Sequence, residues 1–163
     1  MKRNMARAIC FAMLLFGITA AGLAQEGNCS MGGRAGTFAF TWSGTMVLPT
    51  GAVSAAAVGR TTFDADGNMS GMQITSRGGA ISLHTIKGTY TVNPDCTGTL
   101  TTTNYDSSGI WVSKATWVTV SADNMTETYL IMTSLVMNNG TAAGLNVPVV
   151  IINQGKRLFP PRM

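Results

Sequence analysis

The sequence predicts an all-β protein: a closed antiparallel barrel of about eight strands, with a β-sandwich as the alternative and a signal peptide in front. Two observations predict this. Short stretches of alternating apolar and polar residues recur at spacings of about 8 to 15 residues. Clusters of Gly, Asn, Asp and Pro separate them, and no stretch beyond the leader has convincing helical periodicity. Eight strands favour closure, because closure removes exposed sheet edges and leaves room for side chains or one small ligand.

The first strand is Thr37 to Trp42, where Phe38, Phe40 and Trp42 share one face. Gly44 to Gly51, containing Pro49, reads as a connection. The second strand is Ala52 to Phe63, whose small residues around Ala55 to Gly59 point to a close neighbour or a bend. Asp64-Ala65-Asp66-Gly67-Asn68 is a hairpin turn. It begins like a calcium loop, but the twelfth position is Thr75, not a bidentate acid. Met69 to Arg77 is the third strand, followed by the Gly78-Gly79 turn. Ile81 to Val92 is the fourth, Gly98 to Tyr105 the fifth and Ile110 to Val120 the sixth. Both faces of the sixth strand carry apolar bulk, so its core face stays open. Thr126 to Thr133 is the seventh strand, Ser134 to Gly140 is ambiguous, and the last strand lies within Ala142 to Asn153. The domain limits are therefore 25–35 for an irregular lead-in, 36–155 for a single barrel domain and 156–163 for an irregular tail.

The chain centres on Gly88 to Leu100, Gly-Thr-Tyr-Thr-Val-Asn-Pro-Asp-Cys-Thr-Gly-Thr-Leu. Asn93-Pro94-Asp95 breaks the ladder between two alternating runs. This stretch, preceded by Val58-Gly59-Arg60-Thr61-Thr62-Phe63-Asp64-Ala65-Asp66-Gly67-Asn68, resembles a group of small, mostly uncharacterised secreted bacterial proteins. The resemblance covers about residues 36–100. It implies a closed antiparallel barrel of the lipocalin or allene-oxide-cyclase-barrel kind, and it carries no catalytic residues to transfer.

Lys2, Arg3 and Arg7 precede an apolar run from Ala8 to about Ala21, and Gly22-Leu23-Ala24 supplies small residues before a polar segment. This is the pattern of a secretory signal peptide over residues 1–24. The run is shorter than the roughly 20 residues of a membrane-spanning helix, so no stable span is expected after cleavage. The expected location is secreted or periplasmic. Cleavage leaves 139 residues with eight basic and seven acidic side chains. The net charge then falls from +4 to about +1, and no basic face for nucleic acid remains.

Cys10 leaves with the leader, while Cys29 and Cys96 stay. An even count in an exported chain predicts one disulfide, Cys29–Cys96, with two free thiols as the alternative. No metal site is expected, because no Cys or His spacing accompanies them. No cofactor is expected either.

Charged residues make up 11% of the chain, so each polar group on an inward face is informative. His84, the sole histidine, shares strand parity with Ile86, Tyr90 and Val92, which are read as inward. The candidate ligand pocket comprises Phe38, Phe40, Trp42, His84, Tyr90, Trp117, Glu127 and Tyr129. An inward Glu127 would have a raised pKa, and with Tyr129 or Tyr90 could act as acid and base. No Gly-x-Ser-x-Gly elbow is present. Three functions follow: an exported barrel holding a small hydrophobic ligand without catalysis, an isomerase or cyclase on an apolar substrate, and a structural or cell-surface module with a filled core. A void of about 300 Å³ separates the first two from the third.

Overall fold

A computed structural model describes residues 29–138 and 140–159. The expected signal peptide, the start of the expected lead-in and the last four residues of the expected tail lie outside the described residues. Eight strands close into one antiparallel barrel in simple sequence order, each bonded to the next and the last to the first. They are β1 (Gly36–Leu48), β2 (Gly51–Phe63), β3 (Asn68–Arg77), β4 (Ala80–Val92), β5 (Thr97–Tyr105), β6 (Trp111–Ala122), β7 (Glu127–Met137) and β8 (Val149–Arg157). The architecture is consistent with a lipocalin-like barrel. It is one cylinder and not two stacked sheets.

Alternation decides which side chains enter. On β1, Phe38, Phe40, Trp42 and Met46 are buried, while Ser43 and Val47 are exposed. Phe63 from β2, Ile86 and Tyr90 from β4, Leu100 from β5, Trp117 from β6, Leu130 and Met132 from β7 and Ile151 from β8 complete one core. Each such side chain stabilises by about 1.5 to 3 kcal/mol when withdrawn from water.

Three boundaries differ from the sequence reading. Gly44 to Leu48 is strand and not connection: β1 pairs with β2 through Leu48↔Gly51, so the hairpin turn is only Pro49-Thr50. Gly44 looks like loop in the sequence, yet it lies opposite both Ala55 and Ile151, and any side chain there would strike the backbone of Val150. Close packing of β1 against β8 requires the glycine. The ambiguous Ser134–Met137 segment extends β7. β8 runs to Arg157, two residues past the expected domain limit, so Lys156 and Arg157 belong to the wall and not to a tail.

Two register shifts change the inward set. One falls at Asn104/Tyr105 against β6, where Asn104 faces Ser113 and Tyr105 faces Trp111. The other falls between β6 and β7, where Thr116 faces Ser134 but Trp117 faces Met132. The extra Thr133 switches β7 parity: Thr128, Leu130 and Met132 are buried before it, Leu135 and Met137 after it. Such bulges re-aim side chains at barrel rims.

The lead-in holds one helical turn, α1 (Met31–Arg34), capped by Ser30 Oγ, which accepts from Gly33 N at 3.0 Å. It covers one end of the cylinder. Cys29 is bonded to Cys96 in the β4–β5 turn, which ties α1 down. Tyr90 Oη donates to the carbonyls of Met31 and Asp64. At the opposite end, the segment after β7 folds back and buries Ala142 and Val147 in the core. No helix among the described residues is long and apolar enough to cross a membrane.

Candidate functional site

The interior is a narrow cavity running the length of the barrel, from Arg34 under α1 to Arg77 and His84 at the opposite end. Phe38, Phe40, Trp42, Leu130, Met132 and Ile151 supply most of its apolar wall. Its volume is about 60 Å³. That is well below the roughly 300 Å³ of a drug-sized pocket, and below the void named above as the mark of a ligand-holding interior. By that criterion a lipid or other drug-sized ligand is removed for this conformation, and only a slim molecule of a few heavy atoms fits.

A polar chain crosses the wall towards the opposite end. Trp42 Nε1 donates to Gln73 Oε1 at 2.8 Å, Gln73 Nε2 to Asn104 Oδ1 at 2.9 Å, and Asn104 Nδ2 to Ser113 Oγ at 3.0 Å. Register makes this chain, since the regular β5–β6 pairing, which holds up to its shift after Asn104, sets Ser113 opposite Asn104 on the inner face. Elsewhere, Trp117 Nε1 donates to Thr102 Oγ1 at 3.3 Å. These groups satisfy one another. Four others that line the cavity do not: Arg34 Nη1, Arg77 Nε, His84 Nδ1 and Asn153 Oδ1 are buried with no hydrogen-bond partner among the described residues. A buried polar group without a partner costs free energy, so these atoms call for waters or a ligand.

Electrostatics at the two ends differ. Burial, with the Arg77 charge as the next contribution, holds the His84 imidazole below its ordinary value of 6.5. Burial likewise lowers Arg77. At the α1 end, burial brings Arg34 down to about 10, so the guanidinium stays charged at neutral pH. It lies over two rings, 4.3 Å from the Phe38 centroid and 4.4 Å from that of Phe63. Arg157 sits 4.8 Å over the Phe38 ring and donates to the carbonyls of Ala35 at 2.6 Å and Gly33 at 2.5 Å. The two arginines together close this end.

Of the candidate residues, Phe38, Phe40, Trp42, His84 and Trp117 do line the cavity. Tyr90 is buried, but its hydroxyl is spent on the α1 end. Burial raises its pKa, so it stays a neutral donor. Glu127 and Tyr129 are corrected: both lie on the outer wall. Tyr129 is 46% exposed and donates to Glu127 Oε2 at 3.0 Å, and Lys156 Nζ stands 3.1 Å from Glu127 Oε1. The inward residue at this level is Thr128, and the side chains on either side of it point out. The acid–base pair expected from Glu127 with Tyr129 or Tyr90 is therefore not assembled inside.

Arg34 was not legible as a site residue. It stands in a Gly-rich, irregular-looking segment without periodicity, and only α1 turns it inward. Gln73, Asn104 and Asn153 were legible in principle, as polar residues with inward strand parity. Among the described residues, no group of three or more His, Cys, Asp or Glu side chains is close enough to hold a metal. No protein-family model matches this chain, and no curated protein matches it.

Proposed function

We propose that this is an exported binding protein that encloses one small, slim, predominantly apolar molecule inside the barrel. The observation that carries the reading is the interior itself: a continuous cavity with an aromatic and aliphatic wall, into which four buried polar atoms point without partners. A filled structural core would leave neither space nor unsatisfied groups. Ligand sites commonly have this composition, an apolar lining with a few placed polar groups that fix orientation.

Export is supported by the leader-like residues 1–24 and by the Cys29–Cys96 bond, which fits an oxidising compartment. The likeness to small secreted barrel proteins agrees with it and rests on the residues of 36–100 quoted above. Binding without turnover is favoured over isomerase chemistry because the cavity holds no carboxylate.

Native mass spectrometry of the secreted protein tests the reading, with Trp42 and Trp117 as built-in fluorescence reporters in the wall. The expected result is a co-purified adduct below about 100 Da, the mass of a molecule with a few heavy atoms. Titration with short-chain alcohols should also quench or shift the tryptophan emission. An adduct-free protein whose emission does not respond to any of a graded series of short-chain molecules would overturn it.

A further inference from the structure

We propose that the ligand is a short-chain carboxylate and that Arg34 receives its charged head at the α1 end of the interior. The inference rests on the binding reading above and adds charge and orientation to it. Arg34 is 6% exposed, lines the cavity, and leaves Nη1 without a hydrogen-bond partner. Among the described residues the one ion pair, Lys156–Glu127, lies on the outer wall, so no carboxylate balances this buried cation. The Phe38 and Phe63 rings supply attraction through their faces but accept no hydrogen bond in the guanidinium plane. A second cation, Arg157, flanks the same ring and adds positive potential.

Removing a charge from water is costly unless it is paired and hydrogen-bonded. A carboxylate fits a guanidinium better than other small acceptors, because its two oxygens match the planar donors. With the head at Arg34, an alkyl tail would extend along Phe40, Trp42 and Leu130 towards the opposite end. The volume limits that tail to a few carbons. The same chemistry has a second source in the chain itself: the Glu26 side chain or the C-terminal carboxylate, both outside the described residues.

The test titrates the secreted protein with propanoate and butanoate against propanol and butanol, read by tryptophan fluorescence and by the shift in melting temperature. The acids should bind about tenfold or more tightly than the alcohols of equal length, the scale of one charge-assisted hydrogen bond. Arg34→Met should erase that difference, and Arg34→Lys should restore part of it. If Arg34→Met does not fold, the acid–alcohol comparison in the unaltered protein still decides. Equal binding of acids and alcohols would overturn the carboxylate proposal and leave the binding reading standing. A preference that survives in Arg34→Met would overturn the role of Arg34. Failure of both series to bind would overturn both readings. A preference that emerges only in Glu26→Gln, or with the chain terminus amidated, would show that the protein's own carboxylate occupies Arg34, and the proposal would fall.

Discussion

Trp42 on β1 and Gln73 on β3 are joined through the barrel interior, the indole Nε1–H donating to the amide oxygen at 2.8 Å. The two strands are not neighbours, since β2 lies between them. The bond therefore spans the curve of the wall, and Gln73 passes the connection on to Asn104. Gln73→Leu would strand a buried N–H on Trp42 and a carbonyl on Asn104. We expect a loss of about 2 to 4 kcal/mol, the penalty for one or two unmet buried groups. Urea unfolding measures it, and a change below about 0.5 kcal/mol, the scale of an ordinary surface substitution, would show that water replaces the amide without loss.

The bond between Cys29 and Cys96 closes a loop with a sequence separation of 67. In the chain-entropy model this contributes about 4 kcal/mol by restricting the unfolded chain. The Cys29→Ser, Cys96→Ser double variant should lose stability on that scale. It should also free α1, so that amides of residues 31–35 exchange faster than those of β1. Unchanged exchange would mean that Tyr90 and Arg157 hold α1 unaided.

His84 makes stability depend on pH in a defined window. Its folded pKa lies below the ordinary 6.5, so the unfolded chain binds the proton more readily. The contribution is complete above about 6.5 and is lost as the pH falls from there through the lowered folded value. The carboxylates Asp64 and Asp95, also held low, act only below their ordinary 3.8 and do not overlap this window. The melting temperature of the unaltered protein should drop between pH 7 and 5 more steeply than that of His84→Gln. Parallel curves would count against a partly buried, neutral imidazole.

Gly59 faces inward on β2 beneath the Phe40 ring. A methyl group there would lie 2.5 Å from Phe40 Cζ and press on the Met72 carbonyl. Gly59→Ala should destabilise by about 1 to 3 kcal/mol through overpacking, despite the better strand propensity of alanine. A neutral outcome, read by thermal melting, would show that Phe40 swings into the cavity, and ligand titration would then report a smaller interior.

Glu127, Tyr129 and Lys156 form an exposed outer-wall group. The ion pair there is worth no more than about 1 kcal/mol. Glu127→Gln should leave ligand-induced fluorescence changes as they are, while lowering the Tyr129 pKa that the carboxylate now raises. Ultraviolet titration of the tyrosines measures the second effect. Altered ligand response would place this face in the binding path.

The strand grammar was legible because turns and alternation are local. Asp64 illustrates this: its carboxylate accepts from the backbone N–H of Asp66 and Asn68, so the turn forms from its own five residues. The inward face of β7 was not legible, since the extra Thr133 appears only in its register with β6. Two inverted alternations, Glu127-Tyr129-Ile131 and Thr128-Leu130-Met132, are equally apolar on paper. Burial chooses the second, because Leu130 and Met132 fill the cavity while Ile131 packs beside Ile152 on the outside. The cation at the α1 end of the cavity was hidden for a different reason. Arg34 acquires its place from contacts with Phe38 and Phe63, and neither is implied by the Gly-rich segment that carries it.

The seam between β1 and β8, with Phe38 opposite Arg157, joins residues more than a hundred positions apart. Every other wall contact is a hairpin that can assemble as soon as its own residues exist. The final seam demands the first and last strands of the barrel at once, which raises contact order and slows the search. Until Ile151 and its neighbours arrive, the Phe38, Phe40 and Trp42 strip has an unzipped flank. Closure of the barrel therefore waits for β8, and a nascent copy short of residue 150 would be an open, sticky sheet dependent on holding factors.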